Sequence, residues 1–265
     1  MKVAITVSNK AGWAQCELAK QYARQLEVAY LARKPITAML EENELQAILV
    51  LENSGWKLKT TEQEFFFHPS MAKLRIENLL QGGTDNLLEA MQLQTGMKIL
   101  DATLGLASDA LVCAYALGNQ GTITGIEASK WISFIVTQGL KDYSTIGLLE
   151  NAAQRIKVHC QDHLSYLVSQ ADASYDIVYF DPMFEHPVHG SSNMQPLREF
   201  ACSQELTLLA IEQALRVARR RVVIKENKFL VVQKVENIPN FCLRAFCKIL
   251  NALQLQLKNI FRQII

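Results

Sequence analysis

Four acidic residues in the middle of the chain each follow a short apolar run: Asp101 after Ile99-Leu100, Glu127 after Gly125-Ile126, Asp162 after Val158-His159-Cys160-Gln161, and Asp181 after Val178-Tyr179-Phe180. A buried strand ending in a carboxylate delivers a hydrogen-bond acceptor to the edge of a sheet, where ligands of open α/β folds collect. One such acid is ordinary. Several at the ends of successive strands point to a nucleoside site. Glu127 lies 26 residues after Asp101, the separation at which an acid ending the second strand takes both hydroxyls of a ribose.

The loop after Asp101 reads Ala102-Thr103-Leu104-Gly105-Leu106-Ala107, with Ser108 expected as the N-cap of a helix carrying Leu111, Val112 and Tyr115. Gly105 lets the backbone approach a ligand, and the amides of a helix start face it. A dinucleotide fingerprint needs G-x-G-x-x-G, whereas the alternate positions here are Thr103, Gly105 and Ala107. That departure disfavours a nicotinamide-dependent dehydrogenase.

Asp181-Pro182-Met183-Phe184 carries the chemistry. Asp181 and the carbonyl after Pro182 can accept both protons of an exocyclic amine while Phe184 stacks on its ring. The following run, Glu185 to Leu197, is rich in Gly, Ser, Asn and Pro and contains His186 and His189. It is expected to cover the substrate.

The elements that must position these residues alternate. From Lys98 onward the pattern predicts strands at 98–101, 122–127, 156–160, 176–181 and 221–225. Helices are expected at 109–117, 129–141, 145–154, 163–170 and 199–217. Such alternation implies α/β architecture with a doubly wound, mostly parallel sheet. Residues 1–67 read as a small N-terminal α/β domain, with strands at 3–7, 28–31, 47–51, 56–60 and 65–67 and helices at 11–26 and 35–44. Residues 68–96 form a helical connection broken at Gly82-Gly83, and residues 97–265 form the main domain, with an atypical tail over 226–265. Within that tail Phe229–Val232 reads as a strand and 241–265 as a basic amphipathic helix.

Net charge is +1, but residues 97–195 hold 5 Lys and Arg against 10 Asp and Glu, and residues 196–265 hold 12 against 5. The basic end, Arg219-Arg220-Arg221 included, could face a polyanion or simply be solvated. Six cysteines without a C-x-x-C pair fit buried, reduced thiols and no metal. No apolar run is long enough to span a bilayer, and the first residues lack signal-peptide character, so a soluble cytoplasmic protein is expected.

Asp101 to Ala107, Glu127 and Asp181-Pro182-Met183-Phe184 together resemble a class I S-adenosylmethionine-dependent methyltransferase. With Phe67-His68-Pro69 and Asp101 to Ala110, they resemble more narrowly the bacterial 16S ribosomal RNA guanine-N2 methyltransferases of the J type, over roughly residues 65–225. The resemblance implies S-adenosylmethionine lying over Gly105, with Thr103, Ala107, Asp109 and Ala128 around it. Its ribose would rest on Glu127, its adenine near Asp162 and its methionine end by Asp101. It implies Asp181, Pro182 and Phe184 as catalytic, with His68, Arg75, Met183 and His186 as substrate contacts, and ribosomal RNA or the small subunit as partner. Met183 stands where the broader amino-methyltransferase signature has Pro, which leaves the backbone carbonyl in place. Methylation of a protein amide or small amine, and a non-catalytic nucleoside- or RNA-binding module, are the alternatives.

Overall fold

The computed structural model describes residues 1–143, 149–182, 200 and 206–225, and the backbone of 230–233. The N-terminal sheet has the order β1-β2-β3-β4, built from β1 (Val3–Val7), β2 (Ala47–Glu52), β3 (Gly55–Lys59) and β4 (Glu64–Phe66). β1 and β2 are parallel, joined through α1 (Trp13–Gln25) and α2 (Ile36–Glu42), while β3 and β4 run antiparallel. Every residue of β1 is buried, as a strand covered on both faces requires.

The expected strand at 28–31 does not form, and only a bridge between Ile5 and Tyr30 is present. Glu27 turns the chain at φ 55, and the Thr6 hydroxyl donates to the Leu31 carbonyl at 2.9 Å in place of a further backbone bond. The connection to the second sheet consists of α3 (Ser70–Leu80) and α4 (Asn86–Met91).

The second sheet comprises β5 (Lys98–Asp101), β6 (Thr122–Glu127), β7 (Ile156–Cys160), β8 (Tyr175–Phe180), β9 (Ala218–Ile224) and β10 (Leu230–Gln233). Its order is β10-β9-β8-β5-β6-β7, parallel except for β10, which pairs antiparallel with β9. The sheet is flanked by α5 (Ser108–Ala116), α6 (Lys130–Tyr143), α7 (Glu150–Ala153), α8 (His163–Ser169) and α9 (Leu208–Val217). α9 follows Thr207, whose hydroxyl caps it by accepting from the Ala210 amide at 3.2 Å; the helix expected over 199–217 is helical at Phe200 and interrupted at Leu206-Thr207. The proposed helix at 241–265 and the loop 185–197 lie outside the described residues.

Alternation along the strands divides the core. Ile99, Ile177 and Tyr179 pack on one face with α5 and α6, whereas Leu100, Val178 and Phe180 pack on the other with Ile211 and Ala214 of α9. The first face is continuous with the N-terminal sheet. Tyr22, Trp56 and Phe134 meet edge to face with centroids 5.1–5.4 Å apart, each pair worth about 0.5–1.5 kcal/mol beyond the area it buries. This packing ties α1 and β3 to α6.

Candidate functional site

Parallel register brings the acids to one edge. Asp101 pairs with Gly125 on one side and Tyr179 on the other, Glu127 pairs with Cys160, and Phe180 pairs with Ile224. The last pairing sends Asp181 and Lys225 out of adjacent strands side by side, with the Lys225 amide donating to the Phe180 carbonyl at 2.8 Å.

The loop after β5 is pinned to both neighbouring strands. The Ala102 amide donates to Tyr179 at 2.8 Å and the Leu104 amide to Ile126 at 2.9 Å. Gly125 permits this close approach, since a Cβ there would stand 2.5 Å from Leu104 Cδ1. Gly105 has φ 50 and Ala107 has φ 58. Ala107, not Ser108, therefore holds the N-cap position, and Ser108 opens α5 without a capping side chain in front of it. An alanine in this conformation costs on the order of 1 kcal/mol, a strain of the kind found at ligand clamps.

The strand-end acids differ in their surroundings. Glu127 accepts the Gly105 amide at 3.1 Å and the Ser129 amide at 2.8 Å, and burial raises its pKa against the pull of those bonds. Asp101 is 3% exposed and accepts the Thr103 amide at 3.1 Å. Burial, then the Asp109 charge, pushes its carboxyl up to about 8. Asp162, half-buried, caps α8 by accepting the Ser165 amide at 2.7 Å.

Beside them lies a charge network that the sequence reading did not find. Lys225 Nζ is 2.9 Å from Asp109 Oδ2 and 2.8 Å from Asp181 Oδ2, and the Tyr179 hydroxyl donates to Asp109 Oδ2 at 2.7 Å. Arg75 bonds Asp109 Oδ1 and grips both oxygens of Asp85 at 2.7 and 2.9 Å. Burial works to raise the Asp109 carboxyl, but Lys225 and Arg75 outweigh it and hold it below its ordinary value. At Asp181 burial prevails and raises the carboxyl despite Lys225. The Asp181 amide donates to Thr103 Oγ1 at 2.5 Å. A pocket of about 470 Å³ opens beside the network, lined by Leu74, Arg75, Asn78, Asp85, Asp109 and Lys225.

The structure thus brings Asp101, Thr103, Gly105, Ala107, Asp109, Glu127 and Asp181 to one edge. Arg75, expected as a substrate contact, is bonded to Asp85 and Asp109 and lines the pocket beside them. His68 lies against the Phe66 ring, centroids 5.2 Å apart. Pro182 follows Asp181 directly, while Met183, Phe184 and His186 lie outside the described residues. The Arg219–Arg221 cluster sits at the beginning of β9, and Arg219 bonds Asp176 at the start of β8 at 3.2 Å, away from the acids. Cys113 is buried as expected, but Cys160 is exposed because it ends the outermost strand β7. Among the described residues, no helix is long and apolar enough to cross a membrane and no acidic, His or Cys cluster has the makings of a metal site.

Fold and site define a doubly wound α/β protein with a ligand cradle at the carboxyl ends of its strands. Over 83% of each chain the fold matches the SAM-dependent methyltransferase NGO1261 from Neisseria gonorrhoeae, with a TM-score of 0.58 at 19% identity. The chain belongs to the S-adenosylmethionine-dependent methyltransferases: the family model described as "Putative SAM-dependent methyltransferase" matches residues 26–239. It is 37% identical over 226 residues to "Uncharacterized protein YpiP" of Bacillus subtilis, covering 84% of this chain and 88% of that one. It is 25% identical over 217 residues to "Ribosomal RNA small subunit methyltransferase J" of Magnetococcus marinus, covering 77% and 83% of the two chains. The protein of that name from Marinobacter nauticus is 32% identical over 132 residues, 49% of this chain and 46% of that one.

The cofactor is S-adenosylmethionine, and the residues present suit it. The Gly105–Ala107 turn leaves the first amides of α5 without a side-chain cap, and half-buried Glu127 and buried Asp101 offer carboxyl oxygens of the kind its hydroxyl and cationic groups need.

Proposed function

We propose that this methyltransferase modifies the exocyclic N2 amine of a guanine in small-subunit ribosomal RNA. The observation that carries the reading is the placement of Asp181-Pro182 beside the Gly105 cradle, with the Asp181 amide on Thr103 of that same loop. The similarity to proteins named for ribosomal RNA methylation supports the substrate class.

S-adenosylmethionine supplies an electrophilic methyl group. The chain's task is to make a delocalised base amine nucleophilic. Asp181 Oδ and the carbonyl following Pro182 accept the two amine protons, which draws the nitrogen lone pair out of the ring. The Asp181 charge would stabilise the positive charge that grows on nitrogen as the C–N bond forms and the methyl–sulfur bond breaks, its electron pair staying on sulfur as a neutral thioether. The surplus proton then leaves to water or to Asp181. Glu127 would hold the ribose and Asp101 the methionine end.

Single-turnover transfer of labelled methyl to ribosomal RNA from cells lacking the gene tests this. Asp181→Ala should slow it by a factor on the order of 10²–10³ with cofactor affinity unchanged. Label passing only to protein, or wild-type turnover by the variant, would overturn the reading.

A further inference from the structure

Lys225 stands where the register of β8 and β9 sets it beside Asp181, yet it would serve no purpose as a lone surface lysine. Its ammonium donates to Asp181 Oδ2 and Asp109 Oδ2 at once. Asp109 is itself fixed from two other directions, by the Tyr179 hydroxyl of β8 and by Arg75 of α3. Arg75 is fixed in turn by Asp85, whose Oδ1 accepts the Leu87 and Leu88 amides at the start of α4 at 3.0 and 3.3 Å. An unbroken series of charge-assisted bonds therefore runs from the helical connection before β5 to the Asp181 carboxylate. A flexible lysine becomes a geometric constraint only when its far end is anchored in this way.

We propose that Lys225 is a positioning residue for methyl transfer: anchored on Asp109, it holds one oxygen of Asp181 and so turns the other toward the substrate amine. The proposal rests on the reading of Asp181 as the amine acceptor. Asp181 is faced by Lys225 from β9, Asp109 from α5, Arg75 from α3, Asp101 from β5 and Tyr179 from β8. Of these, Lys225 and Arg75 bring positive charge, and Lys225 alone bonds it in the structure. The side chains of Lys225 and Asp181 are each 37% exposed, so the pair adds little to stability. A purely structural lysine would leave the transfer rate untouched even where its charge moves the Asp181 titration.

The test compares Lys225→Met and Lys225→Arg in the full chain. Carbon-13 NMR titration of the Asp181 carboxyl, identified by its loss in Asp181→Asn, should move to higher pH in Lys225→Met, because the favourable neighbouring charge is gone. Single-turnover transfer should fall roughly tenfold to a hundredfold with S-adenosylmethionine affinity unchanged, while the melting temperature falls because Asp109, 12% exposed, loses one of its two cations. Lys225→Arg should restore much of both, since it keeps the charge and the reach. An unmoved titration, or a moved titration with an unaltered rate, overturns the proposal. Wild-type turnover by Asp181→Ala removes the acceptor reading and the proposal with it. An impaired Asp181→Ala beside an unimpaired Lys225→Met overturns the Lys225 assignment alone.

Discussion

Replacing Asp101 by Asn should make the ligand-free protein more stable at neutral pH. Asp101 is 3% exposed and crowded by Asp109, and its carboxyl is pushed up to about 8. In the unfolded chain it would titrate near the ordinary aspartate value, about 3.9. Between these two values the folded protein keeps a proton that the unfolded chain has released, so stability falls as pH rises, by about 1.4 kcal/mol for each pH unit. Asn keeps the shape and an oxygen for the Thr103 amide and has no proton to lose. Glu127 and Asp181 are also raised and add slope of the same sign, but they are common to both proteins and largely cancel in the difference. Urea denaturation of both proteins at pH 5 and pH 7 should show the stability of wild type relative to Asp101→Asn falling by about 2.5 kcal/mol. Parallel pH dependences would mean that Asp101 is ionised in the folded protein, and the desolvation argument would fail.

Glu127→Ala should weaken S-adenosylmethionine binding by about 2–3 kcal/mol, or roughly 30- to 150-fold, by calorimetry. Glu127→Gln should lose less, since its one oxygen can still accept from Gly105 or Ser129. Gly125→Ala would force a Cβ to within 2.5 Å of Leu104. It should destabilise by about 1–3 kcal/mol and impair cofactor binding through the displaced loop, which denaturation and calorimetry would separate. On the ribosomal RNA reading, RNA affinity should fall steeply with salt, and Arg219→Ala should leave that slope unchanged because Arg219 bonds Asp176 at the sheet edge opposite the strand-end acids. A smaller slope in this variant would put the cluster on the RNA.

What the sequence revealed depended on how local the cause was. The strands of the second sheet were legible because a parallel sheet covered on both faces needs short apolar runs with helices between them. The acids were legible because such runs stop at a polar residue. The strand at 28–31 misled, since its composition is strand-like, but a side-chain hydroxyl from Thr6 takes one of the carbonyls a ladder would use. Ser108 misled as a cap because a buried alanine in the left-handed region is a choice that composition disfavours. Lys225 was hidden for another reason. Val222-Val223-Ile224-Lys225 has the same form as the runs ending in acids, but its partner is set by register across strands 44 residues apart. Arg75 and Asp109 are likewise 34 residues apart, so nothing local showed the pair.

The two ends of the second sheet use the same residue types for different work. At the beginning of β8, buried Asp176 accepts the Lys98 amide at 2.9 Å and Arg219 at 3.2 Å, an arrangement that joins β5, β8 and β9. At the opposite end Asp85, Asp109 and Asp181 share only Arg75 and Lys225 among the bonded cations, while Asp101 and Glu127 rest on backbone amides. Burying more carboxylates than cations costs stability, which is why the Asp101, Glu127 and Asp181 carboxyls are all raised. A sheet edge selected for stability alone would replace Asp101 by a neutral residue. An excess of acid at this edge is useful where the ligand brings positive charge, and S-adenosylmethionine carries a sulfonium and an ammonium against one carboxylate. On the proposed placement of the cofactor, the cost in the ligand-free fold and the affinity for a cationic ligand are two consequences of one arrangement.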